Sequence, residues 1–226
     1  MKRFAIIPAG GSGKRTGEIL PKQYHKVRGK EILAYTIDVF QNCSCIDEIV
    51  VSAQMQYFDL IREIAEEYGL TKLRKIVEGG KERQDSVFNA LNAISADKDD
   101  LVAVHDAARP LLTEQILINA LQTAELSGSA LVCIHARDTL VIGKDSIDDY
   151  LDRSKVYYAQ TPQVFKYDIL KKSMELAYKE GFFGTDESML VKRAGFKVSL
   201  VEGSILNFKI TTKPDLEIFE KLFNVF

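Results

Sequence analysis

The sequence predicts an α/β fold in which helices cover both faces of a mostly parallel central sheet. Short apolar runs rich in β-branched residues recur along the chain, and segments with apolar residues every three or four positions separate them. Strands that alternate with helices of about 10 to 15 residues form right-handed crossovers, which build parallel sheets. The 226 residues, 46% of them hydrophobic, are enough for one domain with a sizeable core.

Six apolar runs are predicted to be strands. They are residues 4–7, 48–53, 75–77, 101–105, 130–134 and 198–201. The helical period is clearest over residues 57–68 and 116–124. Because ligands bind at the carboxyl ends of parallel strands, functional residues are expected directly after these runs.

One stretch, residues 137–159, interrupts this alternation. Polar and apolar residues alternate there around a Gly-Lys-Asp turn at residues 143–145, which is typical of an extended ribbon that leaves the sheet. We therefore expect a single domain over residues 1–226, with residues 137–159 forming a β-arm for dimerisation.

Charge and cysteine content narrow the functional classes. The formal net charge of -2 excludes the positive excess that holds nucleic acid by counterion release. No run approaches the about 20 apolar residues of a membrane helix. Cys43, Cys45 and Cys133 match neither a CxxC redox motif nor paired zinc spacing. We expect a cytoplasmic protein with no nucleic-acid partner and no membrane partner.

A glycine-rich segment, residues 8–17, follows the first predicted strand. Glycine lets backbone amides approach an anion closely, so the segment predicts a phosphate-binding loop. It matches neither the GxxxxGKS/T nor the GxGxxG pattern, and a plain turn is the alternative. Arg15 and Lys22 favour the loop, because two cations beside it suit a triphosphate and its charged transition state.

Two further segments follow predicted strands. Residues 79–87 open a helix and offer glycines and the Ser86 hydroxyl to a nucleobase, although they also suit an ordinary helix start. Asp106 lies at a strand end, where it could meet substrate hydroxyls or hydrated Mg²⁺, or form a surface pair with Arg109.

The C-terminal third contributes Arg153, Thr185 and Lys209. Thr185 is a candidate substrate contact or the cap of a helix that starts near residue 186. Lys209 is predicted to lie inside an apolar strand, where an unpaired ammonium is costly, so it requires a nearby anion.

Seven ordered motifs resemble those of the 2-C-methyl-D-erythritol 4-phosphate cytidylyltransferase family of the non-mevalonate isoprenoid pathway. They are PAGGSGKR at residues 8–15, PKQY at 21–24, GG at 79–80 with RQDSV at 83–87, HDAARP at 105–110, QTPQ at 160–163, TDE at 185–187 and FKIT at 208–211. The resemblance implies a Rossmann-like nucleotidyltransferase fold, a dimerising β-arm, and CMP transfer from CTP to 2-C-methyl-D-erythritol 4-phosphate with release of pyrophosphate.

The resemblance also implies roles for individual residues. The catalytic candidates are Arg15 and Lys22. The implied nucleotide-binding residues are Ala9, Gly10, Gly11, Ser12, Gly13, Lys14, Gly80, Lys81 and Ser86. The implied substrate-binding residues are Asp106, Arg109, Arg153, Thr185 and Lys209, with Arg153 or Lys209 a candidate to cross from a partner subunit. Mg²⁺ is expected mainly on the CTP phosphates, with Asp106 as a candidate protein ligand.

Histidine usage agrees with this chemistry. A phosphate monoester is already anionic at neutral pH, so its attack on CTP needs no general base. None of the three histidines has a ligand-like or triad-like partner at a readable spacing, and a structural role is expected for each of them: His25, His105 and His135.

Two positions depart from the family pattern. The family often has Ala-Ala-Gly where residues 9–11 read Ala-Gly-Gly, and often an acidic residue at Lys81; both positions are expected to contact CTP through the backbone. The nearest alternative is ribitol-5-phosphate cytidylyltransferase, against which residues 84–86, 106–109 and 185–187 favour the methylerythritol enzyme. A nucleotide-binding module without turnover is a more remote alternative.

Overall fold

A seven-stranded sheet forms the centre of the molecule in the computed structural model, which describes residues 1–11 and 20–222. The strands within these residues are β1 (Arg3–Pro8), β2 (Lys26–Val27), β3 (Lys30–Glu31), β4 (Glu48–Ala53), β5 (Leu73–Glu78), β6 (Leu101–Val104), β7 (Ser129–His135), β8 (Leu140–Gly143), β9 (Ile147–Leu151), β10 (Tyr157–Lys166) and β11 (Ser199–Glu202). The α-helices are α1 (Ile32–Asn42), α2 (Phe58–Glu67), α3 (Arg83–Ala93), α4 (Glu114–Ser127), α5 (Tyr167–Lys179), α6 (Glu187–Arg193) and α7 (Lys213–Leu222).

The strand order is β11-β7-β10-β6-β1-β4-β5. Strand β1 runs parallel to β4 and β6, β4 parallel to β5, and β7 parallel to β11. Only β10 among the described strands of this sheet is antiparallel to its neighbours, β6 and β7. The predicted mostly parallel sheet is confirmed.

Helices cover both faces of the sheet because its inner strands alternate their side chains between two cores. In β1, Ala5 and Ile7 point into a cluster formed with α1, α2 and α4. Phe4 and Ile6 point into the opposite cluster, formed with α3, α5 and α6. All four side chains are fully buried, which explains why this strand reads as an unbroken apolar run.

The predicted arm is narrower than residues 137–159. Among the described strands, β8 and β9 pair only with each other and form the ribbon, whereas Tyr157 to Ala159 pair with β7 in the central sheet. The expectation that the ribbon includes residues 157–159 is therefore wrong. The rest of β10 was not predicted as a strand because Pro162 lies within it, and proline lacks the N–H donor that a central strand needs. In the structure the pairing register of β10 with β7 shifts around this proline, between Ala159 and Gln163.

The sheet order creates a ligand-binding crevice. After β1 the chain adds β4 and β5 on one side, then returns to place β6 on the other side of β1. The loops that leave β1 and β6 therefore diverge at the carboxyl edge, which is the topological switch point where open α/β sheets bind ligands. Within residues 1–11 and 20–222, no helix is long and apolar enough to cross a membrane.

Candidate active site

A cavity of about 560 Å³ opens at this switch point, a size typical of small-ligand sites. Its walls are residues 8–11, 22–23, 54, 80–83, 86, 106–108, 209 and 211. Most of these residues follow the ends of β1, β4, β5 and β6, as the sequence predicts for a parallel sheet. The cavity joins motifs that are up to 200 residues apart in the chain.

Two glutamines hold the entry of the glycine-rich loop. The Gln23 amide donates to the carbonyl oxygens of Ala9 at 2.7 Å and Gly11 at 3.1 Å, and the Gln54 amide donates to Gly10 at 3.1 Å. Within the described part of the chain, the backbone amides of Gly10 and Gly11 donate no hydrogen bond. The carbonyls are thus satisfied, whereas these two amides remain available to an anion.

The loop after β5 requires glycine for a steric reason. A Cβ on Gly80 would lie 2.1 Å from the Cβ of Asp85, closer than any real contact. The Gly80 amide donates to the Ser86 hydroxyl at 3.1 Å, and Ser86 donates to the Glu82 carbonyl at 3.1 Å. Glu82 and Asp85 form a reciprocal capping box at the start of α3. The loop is therefore held tightly against the helix that follows it.

Asp106 is the centre of a buried charge cluster at the other end of the cavity. Its Oδ2 accepts a hydrogen bond from Arg109 Nε at 3.0 Å and lies 3.1 Å from Lys209 Nζ, and its Oδ1 lies 3.4 Å from Arg83 Nε. Burial raises the pKa of the Asp106 carboxyl, but Lys209, Arg83 and Arg109 more than offset this and hold the pKa well below its usual range. The carboxylate is ionised, with three cations around it.

Arg83 connects this cluster to a second buried acid. Its Nη1 donates to Glu187 Oε1 at 2.6 Å, and Glu187 is 1% exposed. Burial lowers the pKa of Arg83, but Glu187 and Asp106 outweigh this and raise it. The cluster of three cations and two carboxylates is net positive, which suits the binding of an anion.

His105, the residue before Asp106, is linked to the Asp106 backbone through the Thr161 hydroxyl. The imidazole is fully buried, which lowers its pKa to about 4. Its Nε2 donates to the Arg109 carbonyl at 3.1 Å, and its Nδ1 accepts from the Thr161 hydroxyl at 3.0 Å. The same hydroxyl accepts the Asp106 amide at 3.1 Å. With both nitrogens occupied and the ring neutral, His105 has the surroundings of a structural residue.

The structure brings nine of the sequence-predicted site residues to the cavity wall. They are Ala9, Gly10, Gly11, Lys22, Gly80, Lys81, Ser86, Asp106 and Lys209. Arg109 reaches the site through Asp106. Arg153 and Thr185 are exposed and do not line the cavity of this protomer. Four predicted residues lie outside the described part of the chain: Ser12, Gly13, Lys14 and Arg15.

One prediction of local structure is wrong, and one open alternative is excluded. Lys209 lies in a loop between β11 and α7 and not in a strand, because the flanking Phe208 and Ile210 pack in a small cluster beside α7 and not in the sheet. The expected anion beside Lys209 is present, in Asp106. Thr185 does not cap α6, since the Asp186 side chain accepts the Met189 amide at the N-cap position.

Among the cavity residues without a predicted role, three polar side chains organise the site. Gln23 and Gln54 act on backbone carbonyls, and Arg83 reaches Asp106 and Glu187 across 23 and 104 positions of sequence. Gln23 and Arg83 both lie inside motifs that the sequence analysis identified, and this position could have marked them as site residues. Gln54 follows a predicted strand end but belongs to no motif.

The described residues do not offer a protein-held Mg²⁺ site. Within residues 1–11 and 20–222, no group of three His, Cys, Asp or Glu residues could hold a metal ion. Asp106, the candidate ligand, is shared by Arg83, Arg109 and Lys209, whose charges oppose the approach of a divalent cation. Its surroundings argue against direct metal binding.

The fold and this two-ended cavity define a nucleotidyltransferase. The family model of 2-C-methyl-D-erythritol 4-phosphate cytidylyltransferase (IspD) matches residues 4–224. The chain belongs to this family, and the resemblance of its motifs is confirmed. A relative with the family name from Geotalea uraniireducens (strain Rf4) is 41% identical over 223 residues, which cover 97% of this chain and 96% of the relative. A relative of the same name from Clostridium acetobutylicum is 42% identical over 221 residues, 96% of each chain.

Solved structures of the family share the fold. The 4-diphosphocytidyl-2C-methyl-D-erythritol synthase of Anaerococcus prevotii DSM 20548 has a TM-score of 0.86 at 30% identity, covering 100% of this chain and 96% of that chain. The 2-C-methyl-D-erythritol 4-phosphate cytidylyltransferase of Francisella tularensis has a TM-score of 0.83 at 32% identity, covering 98% and 99%. The predicted nucleotidyltransferase fold is confirmed.

Proposed function

We propose that this chain transfers CMP from the Mg²⁺ complex of CTP to 2-C-methyl-D-erythritol 4-phosphate and releases pyrophosphate. The observation that carries the proposal is one cavity with two anion-binding ends. The glycine-rich loop and Lys22 form one end, and the cluster around Asp106 forms the other. Membership of the family supports this pair of substrates.

The loop end suits the nucleotide. Gly10, Gly11 and the Lys22 side chain line the cavity, where the two glycine amides, which donate to no described residue, and the lysine can meet a triphosphate. The rigid loop at Gly80 and Lys81 suits the cytosine edge, with Ser86 holding the loop in place. Roles for Arg15 and residues 12–14 at this end are proposed from the family motif alone.

The cluster end suits the acceptor. Lys209 provides positive charge for the acceptor phosphate. The ionised Asp106, held by Arg109, provides an acceptor for the hydroxyl groups of the methylerythritol moiety. Thr185 lies two residues before Glu187, which contacts Arg83, and its role toward the acceptor is proposed from the family motif. Arg153 is proposed to reach the acceptor phosphate of a neighbouring subunit.

The reaction requires no general base from the protein. The second ionisation of a phosphate monoester has a pKa near 6, so the acceptor is a dianion at neutral pH and attacks the α-phosphorus of CTP directly. The oxygen–phosphorus bond to the acceptor forms as the bond to pyrophosphate breaks. His105, neutral and hydrogen-bonded at both nitrogens, is not placed to take part.

Charge repulsion is the main barrier that the site must overcome. Two unit charges 4 Å apart repel by ~4 kcal/mol at an effective dielectric of about 20, and two phosphate groups here carry several charges. Lys22 and Arg15 at the α-phosphate, with Lys209 and Arg153 at the acceptor, would offset this repulsion and align the attack. Mg²⁺ is proposed to arrive on the CTP phosphates as part of the substrate.

The arm supports a homodimer. Its ribbon is a two-stranded sheet separate from the central sheet, and it exposes apolar side chains; such a surface favours a partner. The exposed residues are Val141, Ile142, Ile147, Tyr150 and Leu151. We propose that the dimer works in the cytoplasm without nucleic-acid or membrane partners, in keeping with the free thiols of Cys43, Cys45 and Cys133.

Pyrophosphate release tests the proposal. The purified protein, with Mg²⁺ and CTP, is assayed with 2-C-methyl-D-erythritol 4-phosphate, with ribitol 5-phosphate and without acceptor. Release with the methylerythritol substrate alone is the expected result. Release with ribitol 5-phosphate alone would reassign Asp106, Arg109 and Thr185 to another polyol, and CTP binding without release would indicate a binding module.

A further inference from the structure

The first turn of α3 is tied to the segment that precedes α6. The Gln84 amide bridges this segment, donating to the Phe182 carbonyl at 3.2 Å and accepting the Gly184 amide at 2.9 Å. Asp85 accepts the Tyr178 hydroxyl at 2.6 Å. The helix that starts after the Gly80 loop is therefore fixed to the segment that leads into Glu187.

Arg83 completes this link and extends it into the cavity. Its contact with Glu187 Oε1 is 2.6 Å, whereas its contact with Asp106 Oδ1 is 3.4 Å. The shorter contact sets the position of the guanidinium. Asp106, in turn, lies 3.1 Å from the ammonium of Lys209. Glu187, Arg83, Asp106 and Lys209 thus form a continuous chain of alternating charges.

The buried environment of Glu187 lowers the stability of the protein, which is unexpected for a residue that serves folding alone. The side chain is 1% exposed, and its Oε2 has no hydrogen-bond partner among the described residues. A buried carboxylate with one unsatisfied oxygen destabilises a protein unless its charge is compensated, and an uncharged residue would avoid that cost. The compensation comes from Arg83, which lines the cavity.

We propose that Glu187 is a positioning residue which, through Arg83, fixes the Asp106 carboxylate and the Lys209 ammonium for the acceptor phosphate. Without the Glu187 charge, Asp106 is the one acidic side chain among the described residues that still pairs with Arg83, and the guanidinium moves closer to it. Arg83 then competes with Lys209 for the same carboxylate, so Lys209 loses its fixed position. The inference rests on the proposed function, because it assigns the acceptor to this end of the cavity.

The test is the kinetics of Glu187→Gln, which removes the charge and keeps the shape. The KM for 2-C-methyl-D-erythritol 4-phosphate is expected to rise about tenfold, with kcat and the KM for CTP within about threefold of wild type, because the loss affects acceptor binding. Glu180→Gln is the matched control. It removes an exposed acid at the C-terminal end of α5 that pairs with Arg193 of α6 at 2.7 Å, outside the cavity, and is expected to leave all three constants unchanged.

A double-mutant cycle shows whether Glu187 acts through Arg83. In an Arg83→Met background, Glu187→Gln is expected to raise the acceptor KM no further. Independent, multiplicative effects would overturn the proposal, as would an unchanged acceptor KM in Glu187→Gln with a lowered melting temperature. If Glu187→Gln does not fold, Arg83→Lys replaces it as the test variant, because lysine keeps the charge but loses the forked geometry of arginine. Arg83→Lys is expected to raise the acceptor KM similarly, and an unchanged KM would overturn the proposal.

Failure of the proposed function is distinct, because wild-type protein would then release no pyrophosphate with this acceptor.

Discussion

The Lys209 ammonium lies 3.1 Å from Oδ2 of Asp106, although 103 residues separate them in the chain. This contact joins the loop before α7 to the end of β6 and places a cation on the cavity wall. An ammonium held by a single carboxylate keeps donors for a second anion. The pair therefore explains how a lysine can be stable in the free protein and still be available to a phosphate.

Removal of the Lys209 charge is expected to weaken acceptor binding. Lys209→Ala should raise the KM for 2-C-methyl-D-erythritol 4-phosphate by about tenfold to a hundredfold, the loss of one charged hydrogen bond, with a smaller change in kcat. Steady-state kinetics measure this. Lys213→Ala, at an exposed lysine four residues on, is the control and should match wild type. An unchanged acceptor KM in Lys209→Ala would contradict the placement of the acceptor.

Lys22 is expected to act on the transition state. Lys22→Ala should lower kcat by about 10²-fold to 10³-fold, as for other charge-stabilising groups, and change the KM for CTP less. Single-turnover kinetics at saturating CTP separate the chemical step from binding. Lys98→Ala, at a lysine whose side chain is 81% exposed, is the control. A raised KM with normal kcat would mean that Lys22 only binds CTP.

Two glycines are expected to respond differently to alanine. Gly80→Ala should lower the melting temperature and weaken CTP binding, because its Cβ would collide with Asp85. A Cβ on Gly11 meets nothing within 4 Å among residues 1–11 and 20–222, so Gly11→Ala should keep the wild-type melting temperature and lose CTP affinity by blocking the phosphate. Calorimetric titration with CTP and thermal unfolding measure both. Equal effects on stability would contradict the distinction.

His105 is expected to make stability depend on pH. The folded protein holds the pKa of His105 at about 4, against 6.5 for an ordinary histidine, so the unfolded chain takes up the proton first as pH falls. Neutral His105 therefore makes its full contribution to the free energy of unfolding above pH 6.5. As pH falls to about 4, this free energy declines by on the order of 3 kcal/mol. Urea unfolding across this range, compared with His105→Gln, measures the contribution. If the two proteins had the same pH dependence of stability, groups other than His105 would be responsible for it.

Mixtures of two variants test whether Arg153 acts across the interface of the proposed dimer. Arg153→Ala and Lys209→Ala, each nearly inactive at low acceptor concentration, are mixed and allowed to exchange subunits. If each site takes Lys209 from one subunit and Arg153 from the other, the mixed dimer has one complete site and activity returns. No recovery in dimers shown to have exchanged would place both residues in the same subunit.

The short buried strands, and the helices that alternate with them, were predictable from the sequence because apolar runs and helical periods are local properties. The arm boundary and β10 were not, since Pro162 removes a donor from a strand that pairs with residues of β6 and β7 at least 22 positions earlier in the chain. The same limit applies to the site. Motifs predicted most of the cavity wall, whereas the Arg83–Glu187 contact spans 104 positions and depends on tertiary packing.

Isotope tracing of the acceptor phosphate tests the central claim most directly. 2-C-methyl-D-erythritol 4-phosphate with ¹⁸O in its phosphate oxygens is incubated with CTP and Mg²⁺, and both products are analysed by mass spectrometry. Attack on the α-phosphorus by an acceptor in this cavity predicts that all label stays in 4-diphosphocytidyl-2-C-methyl-D-erythritol, including the bridging oxygen, with none in pyrophosphate. Label in pyrophosphate, or no labelled cytidine product, would contradict the account.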